Sequence, residues 1–146
     1  MPIRVATTDD IVRMHEIRTA VRENRLSSPD RIRHEDYAAF LSVNGRGWAF
    51  EQNGGLVGFG IADHECRNIW ALFVAPGFEG QGIGRALLEA MTKWLFAQSD
   101  APVWLTTAPG TRAERFYRAA GWREAGRENG EIRFELASAG TGHPTR

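Results

Sequence analysis

The sequence predicts a mixed α/β domain, and three observations carry that prediction. The apolar run Asn68–Val74 is followed by Pro76, by Gly80, Gly82 and Gly84, and then by an amphipathic segment, a strand–turn–helix signature. Two Asn-Gly pairs, Asn53-Gly54 and Asn129-Gly130, read as hairpin turns. Helical periodicities are interspersed among the strands rather than collected at one end, so helices pack against a single sheet.

Taken in order, residues 3–6 form a short first strand. Thr7-Thr8-Asp9-Asp10 offers capping oxygens to a first helix, along which Ile11, Met14, Ile17 and Val21 recur at helical spacing. Ser28-Pro29-Asp30 interrupts that pattern, and a second helix covers residues 33–41. Residues 48–51 and 56–62 are the arms of the first hairpin. The next strand, Asn68–Val74, is continuously apolar, which predicts burial on both faces. In the third helix, Ile83–Phe96, the residues Leu87, Leu88, Met91, Trp94 and Leu95 share one face. Residues 102–107 form a buried strand and Arg112–Ala119 a fourth helix, ended by Gly121. Residues 122–126 and 132–136 make the last hairpin, in which Ile132, Phe134 and Leu136 alternate. The predicted order is β-α-α-β-β-β-α-β-α-β-β, one domain over residues 1–137. Residues 138–146, small and polar, are expected to be a disordered tail.

Composition narrows the function classes. Eighteen Lys and Arg balance eighteen Asp and Glu, so nothing favours nucleic acid or an anionic membrane surface. No apolar stretch approaches the length of a membrane span, and Met1-Pro2-Ile3-Arg4 lacks the apolar run of a secretory signal. The single cysteine, Cys66, excludes an internal disulfide and suits a reducing cytoplasm. His15, His34 and His143 have no metal-ligand spacing, so no metal is expected.

The glycine turn carries the first chemical signal. A helix N-terminus leaves backbone N–H groups unpaired and bears partial positive charge, and glycines let a ligand approach them closely. The expected ligand is a phosphate held mainly by main chain. The dinucleotide pattern G-x-G-x-x-G fails, because Leu87 or Arg85 stands where its last glycine should be. The P-loop pattern fails for want of Gly-Lys-Ser/Thr. Val74-Ala75-Pro76 followed by Gly82-Ile83-Gly84 instead resembles the acyl-CoA loop of the GCN5-related N-acetyltransferases (GNAT), Arg/Gln-x-x-Gly-x-Gly/Ala, with Glu79 at the usual Arg/Gln position. If Glu79 pointed inward it would oppose a pyrophosphate, so it is expected to face solvent.

A second segment, Ala113-Glu-Arg-Phe-Tyr-Arg-Ala-Ala-Gly-Trp122, is similar to the family's downstream helix, Ala-x-x-Phe/Leu-Tyr-x-x-x-Gly-Phe/Trp. Gly110 stands where the family often has an asparagine. The resemblance covers residues 3–136 and implies the GNAT fold, with the sheet splayed between strands 4 and 5. It implies that the backbone of Leu72, Phe73 and Val74 pairs with the pantetheine arm of acetyl-CoA. The pyrophosphate then lies on Glu79, Gly80, Gln81, Gly82, Ile83, Gly84 and Arg85, and Tyr117 protonates the departing thiolate. The implied activity is acetyl transfer from acetyl-CoA to a primary amine of a small molecule or a peptide, by direct attack in a ternary complex. A non-catalytic acyl-CoA sensor of the same fold is the alternative. The acceptor region falls on Arg22, Glu23 and Asn24 after the first helix, and Asp63, His64 and Glu65, which follow the strand over residues 56–62, are the candidates for a base at the cleft mouth. Family members often dimerise, so a homodimer is an expectation of the same kind.

Overall fold

The computed structural model describes residues 2–21, 34–41 and 45–138. A seven-stranded sheet runs through it in the order β1-β2-β3-β4-β5-β7-β6. Its strands are β1 (Ile3–Val5), β2 (Gly45–Gln52), β3 (Gly55–Asp63), β4 (Asn68–Val74), β5 (Val103–Thr107), β6 (Arg123–Glu128) and β7 (Glu131–Leu136). The helices are α1 (Ile11–Ala20), α2 (His34–Ala39), α3 (Ile83–Phe96) and α4 (Arg112–Ala119). The element order matches the expectation, with one added 3-10 turn, Thr8–Asp10, ahead of α1. The predicted Ser28-Pro29-Asp30 break and the tail from residue 139 lie outside the described residues. Among the described residues no helix is long and apolar enough to cross a membrane.

Two cores flank the sheet. Ile11, Met14 and Ile17 of α1 and Tyr37 of α2 pack on Ala49, Phe59, Ala71 and Phe73. On the other side Ile83, Leu87, Met91 and Leu95 of α3, with Tyr117 of α4, pack on Val57, Ile69, Leu105 and Phe134. β3 lies between these cores and is buried at seven consecutive positions. β4 was expected to be buried on both faces, but only alternate residues are buried; Leu72 and Val74 are half-buried. The cause is that β4 stands at a gap in the sheet.

That gap has two origins. Ala71 pairs with Ile61 and Ile69 with Ala62, which leaves Trp70 as an extra, bulged residue. A bulge bends its strand and sharpens the local twist. β4 then meets β5 at a single rung, Asn68↔Trp104. Beyond it the strands part, so the expected splay between strands 4 and 5 is present. The closed end is latched by Arg67, whose guanidinium donates to the carbonyls of Leu95 at 3.1 Å and Ser99 at 2.9 Å. These are the C-terminal turn of α3 and the loop that leads to β5, where a cation suits the free carbonyls.

A carboxylate latch holds α4 to β6. Glu124 accepts from Arg118 at 2.7 Å and from Arg127 at 2.9 Å, and the two guanidiniums hold its carboxyl at about 2. A carboxylate whose folded pKa is depressed stabilises the fold above its ordinary range and loses that effect as pH falls towards the folded value. Glu124→Gln is therefore expected to melt below wild type at pH 7, with the difference vanishing between about pH 4.5 and pH 2. The pair is exposed, so the difference is small and shrinks in salt; melting curves against pH check it.

Candidate functional site

The parted strands open a cleft of about 760 Å³. Leu72, Phe73 and Val74 of β4 form one wall, and Ala113, Phe116 and Tyr117 of α4 form another. Glu79, Gly80, Gly82, Ile83, Gly84 and Arg85 form the end at α3, and Ala20 and Val21 bring the end of α1 to it. Among the described residues, the gap leaves the β5-facing edge of β4 beyond Asn68 without a strand partner. Such an edge presents N–H and C=O groups to whatever enters.

The N-terminus of α3 lines this end of the cleft. Gly82 caps the helix at φ 85°, in the left-handed region, with no side-chain cap and no acidic residue in the first turn. α4 is finished differently: the Thr111 hydroxyl accepts from the Glu114 N–H at 3.2 Å. The chain thus satisfies its short helix with a side chain and leaves its long helix open towards the cleft. α3 is seated closely on β3, where a Cβ on Gly58 would lie 2.8 Å from Ile83 Cγ2. This close approach fixes the first turn of α3 against the sheet.

Glu79 is exposed, as expected, but not idle. It accepts from the Gly77 N–H at 2.9 Å, and its other oxygen lies 3.7 Å from Arg112 Nη1. Arg112 is the first residue of α4 and also lines the cleft, so these two charges face each other across its mouth. Sequence reasoning passed over Arg112, whose place depends on where α4 begins in space. The Gln81 side chain accepts from Gln52 Nε2 at 3.0 Å and does not line the cleft, so only its main-chain N–H stays available for the expected role.

Tyr117 is 6 % exposed and still contributes to the cleft wall. Its ring makes edge contacts with Phe116 and Trp122, centroids 5.1 and 5.8 Å apart, and lies 6.1 Å from that of Phe134. Burial pushes its hydroxyl well above the ordinary phenol range, because the phenolate would lose its water.

Asp63 is placed elsewhere. It ends β3 beside Asn68, at the closed end of the β4–β5 pair, and its carboxylate accepts from the N–H groups of Glu65 and Cys66 at 3.1 and 3.3 Å. Asp63 holds a turn some five β4 residues from Phe73, about 16 Å of strand. That carboxylate also pushes the exposed Cys66 thiol up, which disfavours a nucleophilic thiolate. Arg22, Glu23 and Asn24 lie outside the described residues.

Comparison with known proteins agrees with this geometry. The model of the acetyltransferase (GNAT) family matches residues 11–122, and the chain belongs to that family. Among solved structures, it is similar to the ribosomal-protein-S18-alanine N-acetyltransferase from Escherichia coli. The TM-score is 0.77 at 22% identity, over 99% of this chain and 97% of that one. The GCN5-related N-acetyltransferase from Rhodopseudomonas palustris gives a TM-score of 0.78 at 19% identity, over 93% and 94% of the two chains. The PaiA N-acetyltransferase from Thermoplasma acidophilum, solved in complex with coenzyme A, gives 0.76 at 13% identity, over 94% and 100%. No curated protein sequence matches.

Proposed function

We propose that the protein transfers the acetyl group of acetyl-CoA to a primary amine, by direct attack with both reactants bound. One observation carries this reading: the uncapped N-terminus of α3 and the unpaired edge of β4 face the same cleft. The backbone N–H groups of residues 82–85 hold a diphosphate, as helix N-termini do. The N–H and C=O groups of Leu72, Phe73 and Val74 accept an amide-bearing arm as an added strand. Acetyl-CoA supplies an activated acyl group with a good leaving thiolate. The arriving nitrogen bonds to the acyl carbon as the C–S bond breaks. The Tyr117 hydroxyl gives its proton to the sulfur, the nitrogen gives one up to solvent, and Tyr117 takes one back from solvent, which restores the acid. Co-binding in one cleft supplies much of the rate through proximity. We place the protein in the cytoplasm, where its exposed Cys66 stays reduced and acetyl-CoA is available.

Calorimetric titration with acetyl-CoA tests the reading, followed by a thiol-release assay over a panel of primary amines. Saturable binding and amine-dependent thiol support it. Binding without thiol release from any amine leaves an acyl-CoA-binding protein, and no binding at millimolar cofactor ends both. Glu79 gives a sharper check. Its exposed carboxylate competes with the diphosphate for Arg112, so Glu79→Gln is expected to tighten CoA binding about three- to tenfold at low salt. Arg112→Ala is expected to weaken it, and both effects should fade as ionic strength rises. Titrations at two salt concentrations measure this.

A further inference from the structure

Arg18 of α1 occupies a costly position for a charge. Its guanidinium carbon lies 4.9 Å from the centroid of the Phe73 ring and 5.4 Å from that of Trp70. Trp70 is the bulged residue of β4, and Phe73 lines the cleft. The guanidinium therefore sits where β4 leaves β5, and Ala20 and Val21, two and three residues further on, reach the cleft wall. Among the described residues, Nη1 is buried without a hydrogen-bond partner. Burial lowers the proton affinity of the group, and the Tyr37 hydroxyl only partly offsets this. Arg4, Arg118, Arg127 and Arg133 all pair with carboxylates, but among the described residues no carboxylate pairs with Arg18. A desolvated cation with an open donor is destabilising unless something completes it.

We propose that Arg18 selects the acceptor, and that the acceptor is an amine that also carries a carboxylate. This rests on the acetyl-transfer reading and adds the substrate class to it. The planar fork of a guanidinium matches a carboxylate, and stacking on aromatic rings leaves its edge to make the hydrogen bonds. The residue as a whole is half-buried, and Ala20, Val21 and Phe73 beside it line the cleft, so an anionic group at the α1 side of the cleft lies close to it. An amine held there by its carboxylate lies beside the parted strands. A neutral amine of the same shape leaves the open donor unsatisfied.

The test uses the CoA-saturated protein and pairs of probes that differ by a carboxylate: L-phenylalanine with 2-phenylethylamine, L-leucine with 3-methylbutylamine, and 4-aminobutyrate with propylamine. In at least one pair the carboxylated member is expected to bind about tenfold tighter in calorimetry, the discrimination one charge-assisted bond supplies. Arg18→Met should erase that difference. Arg18→Lys, which keeps the charge but loses the fork, should retain part of it and serves as the control for folding. No carboxylate preference in any pair, or a preference that survives in Arg18→Met, overturns the assignment. The CoA titration on the same sample separates the two readings. CoA binding without carboxylate preference removes the Arg18 assignment alone, whereas absence of CoA binding removes the acetyl-transfer reading.

Discussion

Tyr117→Phe is expected to lower turnover about a hundredfold or more while leaving acetyl-CoA affinity close to wild type. The substitution keeps the ring that packs on Phe116, Trp122 and Phe134, so fold and cleft wall survive. On the proposed mechanism only the proton donor is lost. A thiolate that leaves unprotonated within a largely apolar wall is penalised by the same desolvation that raises the hydroxyl. The pH profile offers a second readout. A phenol raised above its ordinary value stays protonated through neutral and moderately alkaline pH, so turnover should show no alkaline fall from this group below about pH 10. Steady-state kinetics on both proteins check this, and unchanged turnover would remove Tyr117 as the acid.

Gly82→Val is expected to weaken CoA binding about thirtyfold, equivalent to about 2 kcal/mol. At φ 85° Gly82 holds a conformation that a β-branched residue adopts only under strain, about 1–2 kcal/mol for the left-handed region alone. A Cβ there meets no protein atom within 4 Å, so the fault is not a clash inside the protein. The new methyl groups enter the open space above the α3 amides, and relaxing the strain turns those amides away. The melting temperature should fall only modestly, because the loop is exposed and contributes little to either core. Calorimetry with CoA and a melting curve separate the two effects. Wild-type affinity in this variant would show that the diphosphate does not lie there.

Much of this arrangement was legible in the sequence because local chemistry fixes it. Asn53 and Gly54 both take positive φ, 53° and 82°, as do Asn129 and Gly130, 52° and 79°, the values a two-residue hairpin turn demands. Of the predicted α3 face, Leu87, Leu88, Met91 and Leu95 are buried, as their spacing required, while Trp94 is half-buried at its margin. Long-range register was not legible. Nothing local in Trp70 marks it as bulged, since a bulge belongs to two strands at once. For the same reason β3, not β4, proved to be the strand buried on both faces. Polar side chains were least legible. Asp63 could be read as a base from its place after a strand, but it closes a turn, while Arg112 and Arg18 take their meaning from elements distant in sequence.

The single rung between β4 and β5 has a mechanical consequence. Strands 1 to 4 and strands 5 to 7 behave as two boards joined along one short edge, and the spine that keeps them aligned is the pair α3 and α4 on their shared core. Tension between the boards therefore passes through helices rather than through the hydrogen-bond lattice. A molecule bound in the opening is expected to supply the missing crossbars and slow amide exchange along β4, which hydrogen-exchange measurements with and without CoA check.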